Sequence, residues 1–528
     1  MARTARGLQR TEPRGQVLPS MDPWTGRVVE EIAANTPDEV RAAVRAARDA
    51  WPTWRATPVS ERARSVARIR RLIHQRMDHI VDVISRESGK PPAEALAHDV
   101  LATLLTIAYQ ERIAPRALKP EPVGRLMAPV FGMSSRIEWR PYGVVGCISP
   151  WNYPLVMAFI AAVPALLAGN TVVLKPSEAT PAVGRVISEL LGAMPPGVAT
   201  VVQGGGEVGA ALVDAQCDKL SFIGSTTTGR RIAEAAANQL TPVLLELGGQ
   251  DAAIMCEDAD IDVATSGVLW GAFLNAGQTC CAIERAYVVE SVADRFEAML
   301  IEKLNRVASE GRGDIGPLTV ARQRETVERH VRDAVERGAR MLAGGPDGGA
   351  QRGDGLWFRP TVLEGRSEDM AVFGEETFGP VLPIVRVRDA DEAVRRANEE
   401  GMNLTASVWT TSAATAKGVV AGLRAGTVSV NDHASTAGAP WGVWGGVGDS
   451  GYGRLHGVQG LREFTVPVHV ARTLLPRMKK LWWYPYDDAT TSSLRALAEL
   501  LSSPERDDRR RAFRELARSA GRAIRSKI

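Results

Sequence analysis

The sequence predicts an α/β protein built on parallel sheets with helices on both faces. Two observations carry that expectation. From Gly143 onward, short apolar runs alternate with helical stretches, and each run closes in residues that favour turns. At 528 residues and 45% hydrophobic, the chain is also long enough for roughly three or four domains that bury a large core.

The elements follow in chain order. Residues 1–18 carry Arg3, Arg6, Arg10 and Arg14 without an apolar core and are expected to form a disordered leader. Thr36-Pro37-Asp38-Glu39 marks a helix start: a hydroxyl N-cap, Pro at the first position and acids in the first turn, followed by Val40, Val44 and Ala47 at helical spacing. Residues 60–89 predict a longer helix. Residues 122–141 lack a helical stripe, end in Trp139-Arg140-Pro141-Tyr142 and predict strands. Strands at 144–148, 171–174, 199–202 and 220–223 then alternate with helices, which places ligands at their carboxyl ends. A second alternating region runs over about 247–456, with helices near 293–309 and 323–337. The chain closes with Leu481-Trp482-Trp483-Tyr484-Pro485-Tyr486, a short Leu-rich helix at 494–501 and, from Glu505, nine basic against four acidic residues. That last stretch is expected to be a solvated basic tail in preference to a membrane-surface or partner helix.

Composition excludes several classes. A net charge of +3 is too near neutral for a dedicated nucleic-acid binder. Five cysteines, odd in number and without a CxxC pair, fit a reducing, cytoplasmic setting. The longest apolar stretch, 154–167, is too short to cross a bilayer and contains Pro164. The seven histidines form no HExxH or Cys/His cluster, so no metal is expected.

Some motifs carry little chemistry. Gly204-Gly205-Gly206-Glu207-Val208-Gly209 fits GxGxxG between a strand and a helix, but no acidic residue closes the next strand as a dinucleotide fingerprint requires. Gly224-Ser225-Thr226-Thr227-Thr228-Gly229 runs into Arg230-Arg231, where a phosphate-binding loop needs Lys and then Ser or Thr.

Three segments are stronger. In Asn275-Ala276-Gly277-Gln278-Thr279-Cys280-Cys281-Ala282 a cysteine follows a Gly/Gln loop and precedes a strand, where it can sit exposed in a cleft. A thiol of pKa about 8.5 needs backbone donors or a cationic neighbour to act as a nucleophile there, and taken alone either cysteine is more often a small buried hydrophobe. Leu244-Leu245-Glu246-Leu247-Gly248-Gly249 sets a carboxylate in an apolar run, where burial raises its pKa towards that of a general base; a surface glutamate at a strand end is the plain alternative. In Ser149-Pro150-Trp151-Asn152-Tyr153-Pro154 an asparagine held between prolines offers an amide NH₂ to an oxyanion, its plain alternative being a turn residue.

Together with Lys175-Pro176-Ser177-Glu178, Phe222-Ile223-Gly224-Ser225-Thr226 and Glu376-Thr377-Phe378-Gly379-Pro380, these segments stand in the order and approximate spacing of the aldehyde dehydrogenase superfamily. The chain resembles that family over about residues 20–472. The resemblance implies an aldehyde dehydrogenase-like subunit: a Rossmann-type NAD-binding domain (19–119 and 142–247), an α/β catalytic domain (248–457) and a small β oligomerisation element (120–141 and 458–475). A C-terminal extension (476–528) follows. It implies NAD(P)-dependent oxidation of an aldehyde to a carboxylic acid through a thiohemiacetal and a thioester on Cys280, with Asn152 holding the oxyanion and Glu246 activating water.

The resemblance also implies cofactor contacts. Lys175 and Glu178 match residues that bind the adenosine ribose, Ser225 the pyrophosphate, and Glu376 the nicotinamide ribose with Phe378 packing nearby. Ser149, Pro150, Trp151, Ser177, Gly205, Gly209, Phe222, Gly224, Thr228 and Leu247 complete the expected cofactor site. Glu178 would repel a 2′-phosphate, so NAD is preferred to NADP. Tyr153, Met157 and Trp444 are expected to line a substrate tunnel suited to apolar aldehydes. A homodimer or homotetramer is implied as well. Two positions depart from the family pattern: Gln250 stands where Lys is common, and Val443-Trp444-Gly445-Gly446-Val447-Gly448 lacks the usual Pro and Lys. Two alternatives are a coenzyme A-acylating semialdehyde dehydrogenase, whose members tend to lack the glutamate that Glu246 supplies, and a non-catalytic binding or structural protein on the same fold.

Overall fold

A computed structural model describes residues 16–125, 132–307, 313–345, 355–365, 369–399 and 401–527. Most of the expected leader, part of the 122–141 segment and the end of the 293–309 helix lie outside the described residues. The chain divides into a larger unit, Met1–Lys119 with Trp139–Val466, and a smaller one, Pro120–Glu138 with Pro467–Ile528.

The larger unit opens on a hairpin, Val17–Asp22 against Arg27–Ala33, with Val17 paired to Ala33. Ordered chain therefore starts before residue 18. In the first of these strands only Leu18 and Ser20 are well buried among alternating positions, too short a pattern to stand out in the sequence. Helix Pro37–Ala56 starts on the expected Thr36 cap: the hydroxyl accepts from Glu39 N and the Glu39 carboxylate accepts from Thr36 N at 2.7 Å. The helix expected over 60–89 is two helices, Val59–Gln75 and Met77–Ser88, divided at Arg76 and closed by Gly89 at φ +79°.

Two sheets organise this unit. In the first, Val243–Leu247, Lys219–Gly224, Val144–Ile148, Thr171–Lys175 and Ala199–Val201 lie side by side and parallel, with Gly451–Tyr452 added antiparallel at one edge. The second runs Arg340–Ala343, Thr361–Glu364, Val381–Val387, Ile283–Val289, Asp251–Met255, Thr405–Trp409, Thr427–Val430, parallel except for its first pair. Helix Pro154–Ala168 is apolar all round and almost wholly buried, as an interior helix must be. Among the described residues no helix is long and apolar enough to cross a membrane.

The smaller unit holds most of a three-stranded sheet, ordered Thr465–Thr473, Met133–Pro141, Glu121–Val123, and the C-terminal segment. The solvated tail expected from Glu505 is instead a helix, Arg506–Arg525, folded back on Asp488–Ser502. Small residues permit this: Ser493, Ala496, Ala512, Ser519 and Ala523 are buried, and the Ser493 and Ser519 hydroxyls meet at 2.6 Å. Basic composition concealed that stripe.

Candidate active site

Strand register brings the nucleotide-contact candidates together. Ile148 pairs with both Lys175 and Phe222, and Gly224 pairs with Leu247, so the carboxyl ends of four parallel strands form one rim. Ser149, Pro150 and Trp151 continue from the first of them. Lys175 Nζ donates to Glu178 at 3.1 Å, and its stem runs past Gly209, where a Cβ would stand 3.6 Å from Lys175 Cδ. Ser177 accepts from Ala179 N. Gly205 precedes helix Gly206–Asp214, and Ser225 caps helix Thr226–Ala237 by accepting from Thr228 N. Two helix N-termini therefore open on this rim, where backbone N–H groups and the helix dipole favour phosphate.

The candidate nucleophile stands just before strand Ile283–Val289 of the second sheet. Helix Ile261–Phe273 gives way to a turn in which Asn275, Ala276 and Gly277 take φ of 53°, 55° and 73°. At Gly277 a Cβ would stand 2.1 Å from the Gly379 carbonyl oxygen, so only glycine fits. The turn leaves Cys280 partly exposed and Cys281 buried, with the Cys281 carbonyl held by His433 Nε2 at 2.7 Å. The two neighbouring cysteines therefore differ in exposure, and the partly exposed one is Cys280, the one the resemblance matched to the family nucleophile.

Asn152 is tied to the same turn. Its amide nitrogen donates to the Gln278 carbonyl at 3.0 Å, while its own carbonyl receives Lys90 Nζ at 2.7 Å and Asn275 Nδ2 at 3.0 Å. Gln278 is itself buried and locked, accepting from Thr319 N. Behind Asn152, Lys90 pairs with Asp99 at 2.8 Å with both side chains fully buried, and Asp99 Oδ1 caps the helix Pro154–Ala168 through Leu155 N. One buried ion pair thus joins the Asn152 backbone to a helix start. Lys90→Met would strand the Asp99 carboxylate, and losing one partner of a buried pair typically costs about 3–5 kcal/mol. The expected outcome is a lower melting temperature and a fall in kcat of about tenfold or more, with nucleotide affinity retained in equilibrium titration; unchanged turnover would separate Lys90 from the site.

Glu246 is the candidate base. It is buried, Trp444 Nε1 donates to its Oε1 at 3.2 Å, and its carboxyl also meets the Cys280 thiol. Burial pushes its pKa up to about 7, with Trp444 and Cys280 pulling the other way. The Cys280 thiol is held well above its usual range by its contact with Cys281, by burial and by Glu246. The resting thiol is therefore protonated beside a carboxyl poised to take its proton. Trp444, expected as a tunnel wall, is 4% exposed and holds the Glu246 carboxyl through that hydrogen bond. Tyr153 is also buried: its hydroxyl meets Thr279 Oγ1 at 2.6 Å, Lys90 Nζ lies 4.3 Å from its ring centre, and it packs with Ala102, Val156 and Met157.

Glu376 and Phe378 complete the arrangement. The Phe378 ring stands edge-on to Trp151 at 5.5 Å, and the Glu376 carboxylate lies against Gly248, about where a Cβ would be. Glu284 holds this loop, accepting from Thr377 N at 2.7 Å and Phe378 N at 2.8 Å, and burial lifts its pKa to about 7. Ser149 Oγ, Asn152 Oδ1 and Glu376 Oε1 are buried without a protein partner. Unpartnered buried polar atoms, together with two helix N-termini that open on the strand-end rim, fit a ligand that carries phosphate, hydroxyl and amide groups. Among the described residues no cluster is suited to a metal ion.

Sequence reasoning missed Lys90, Asp99, Glu284 and His433. Their partners are far along the chain: 62 residues from Lys90 to Asn152, 93 from Glu284 to Thr377, 152 from His433 to Cys281. No local motif marks them.

Comparison with known proteins bears on this geometry. Residues 10–470 match the sequence profile described as the aldehyde dehydrogenase family. A 4,4′-diapolycopene aldehyde oxidase of Methylomonas sp. is 36% identical over 475 residues, covering 89% of this chain and 88% of that protein. The crystal structure of a Mycobacterium tuberculosis aldehyde dehydrogenase complexed with NAD⁺ is 32% identical with a TM-score of 0.81, over 89% of this chain and 96% of that one. An E. coli NADP-dependent enzyme is likewise 32% identical with a TM-score of 0.82, over 88% and 96%.

Proposed function

The chain belongs to the aldehyde dehydrogenase family, and from that premise we propose that it oxidises apolar aldehydes to carboxylic acids with NAD(P)⁺ as acceptor, using Cys280, Glu246 and Asn152. The carrying observation is their junction: Glu246 meets the Cys280 thiol, and Asn152 is bonded to the residue two before it. NAD(P)⁺, bound along the strand-end rim, supplies the hydride acceptor.

Each protein group has a task. Glu246 takes the Cys280 proton and the thiolate adds to the aldehyde carbon, forming a C–S bond and an alkoxide. The amide of Asn152, oriented by Gln278, stabilises that alkoxide together with the Cys280 backbone N–H; one such donor is worth about 10²- to 10³-fold in turnover. Loss of hydride leaves an acyl thioester. Glu246 passes the Cys280 proton to solvent and then removes a proton from water, which attacks the thioester carbon; the C–S bond breaks, Glu246 returns that proton to the departing thiolate, and acid and thiol are released.

We assign the adenosine ribose to Lys175 and Glu178, the pyrophosphate to the helix beginning at Ser225, and the nicotinamide ribose to Glu376. Burial raises the Glu178 pKa, but Lys175, a backbone hydrogen bond and Arg322 together more than offset it and keep it below the usual carboxylate value. A negative charge there opposes a 2′-phosphate, so NAD⁺ is expected to outperform NADP⁺. Glu178→Gln is expected to raise kcat/KM for NADP⁺ by about tenfold or more; equal use of both cofactors by the native protein would remove Glu178 from that role.

The apolar substrate class is supported by exposed apolar side chains on two helical stretches that also pack on or lead to site residues. Leu101 and Leu105 are exposed on the helical stretch whose Ala102 packs on Tyr153, and Trp270 is exposed on the helix that leads to the nucleophile turn, 5.8 Å from the His98 ring. Subunit association is assigned to the three-stranded sheet, as a dimer or tetramer, and the five free cysteines support a cytoplasmic setting. The deciding experiment is a stopped-flow NADH burst with aliphatic and aromatic aldehydes, with quenched protein weighed intact. An acyl adduct on Cys280 and release of free acid support the proposal; acyl-CoA formation, or NAD⁺ binding without hydride transfer, overturns it.

A further inference from the structure

The family profile ends at residue 470, and the chain beyond it builds a feature the proposed chemistry does not use. Leu474, Leu475, Trp483, Tyr484 and Tyr486 are 47–70% exposed within thirteen positions. The helical hairpin that follows is inverted: it closes on serines and alanines, while Leu494, Leu501 and Phe513 stand outside at 38–62% exposure. Large apolar side chains left outside a folded hairpin point to an external surface that covers them.

Charge identifies that surface. Residues 472–528 hold fourteen basic and seven acidic residues, a net of +7, whereas the preceding 471 residues sum to −4. Arg477, Lys479, Arg509, Arg510, Arg511, Arg514 and Arg518 are all exposed. A second copy of this patch would bring like charges together. Tyr and Trp with flanking Lys and Arg match a bilayer interface, where amphipathic rings sit at headgroup depth and cations meet anionic lipid. We propose that residues 472–528 are a peripheral docking element for anionic phospholipid surfaces, independent of the catalytic assignment.

The test uses the full chain and extruded vesicles of phosphatidylcholine alone or with about 30% phosphatidylglycerol, read by co-sedimentation. Binding is expected only to the anionic vesicles and is expected to vanish near 1 M salt, where the Debye length is about 3 Å. A W483A/Y484A/Y486A variant and an R509E/R510E/R514E variant should each lower the partition coefficient tenfold or more at unchanged melting temperature. Partition of either variant equal to that of the native chain, or no binding to anionic vesicles, overturns the proposal. So does a lipid-independent shift in mass that these variants abolish, which would make the patch a contact between copies, or retention of a nucleic acid that outcompetes the vesicles.

Discussion

Cys280→Ala is expected to abolish hydride transfer, lowering kcat by a factor of about 10⁴ or more, because no other group can form and release the acyl bond. Cys281→Ala is expected to change turnover less than about threefold. The two cysteines differ by one position in sequence, yet one is partly exposed and touches Glu246, while the other is buried and contributes its carbonyl to His433. Steady-state NADH formation checks this, with trapping of the thiol by an alkylating agent and peptide mapping to locate the adduct. Equal losses in the two variants would undo the assignment of the nucleophile.

Glu246→Gln is expected to permit no more than one turnover and then stall at the thioester, with a steady-state rate down by about 10²–10⁴. The native enzyme should accordingly gain kcat as pH rises through about 7, since a base must be ionised to accept a proton. Stability moves in the opposite sense. The Glu246 pKa is about 7 when folded against 4.5 for the unperturbed group, so the folded state binds more protons between those values and loses stability as pH rises through that window. The full shift corresponds to roughly 3 kcal/mol. Glutamine keeps the shape without the buried charge, so the variant should melt higher than the native protein at pH 8 and close to it at pH 4. A variant that turns over normally, or one whose thermal advantage does not depend on pH, would remove Glu246 from this role.

Much of the fold was legible because it rests on local signals. The Thr36 capping box, the short continuous apolar runs that became the central strands of the first sheet and the all-apolar helix Pro154–Ala168 are each marked by residues within one short segment. The N-terminal hairpin and the C-terminal hairpin were not legible. In the first, a single pair of inward residues marks a strand; in the second, alanine and serine carry the packing face, and hydrophobicity patterns register size poorly.

The site divides along the same line. Cys280, Glu246, Asn152, Lys175 and Glu376 stand in short segments whose residue types already constrain their chemistry, and family resemblance suffices to nominate them. Their electrostatics are not local. What turns Asn275 and Ala276 left-handed, lifts Glu246 to about 7, bonds Trp444 to its carboxyl and places Lys90 and Asp99 behind Asn152 is contact between groups tens to hundreds of residues apart. By itself the sequence determined the order of the central strands and helices and nominated the candidate reactive groups, because propensity, capping and side-chain chemistry are properties of short segments. Only the tertiary structure decided what holds the Asn152 amide and what surrounds the Glu246 carboxyl, because burial and hydrogen-bond partnership exist only once the sheets have paired.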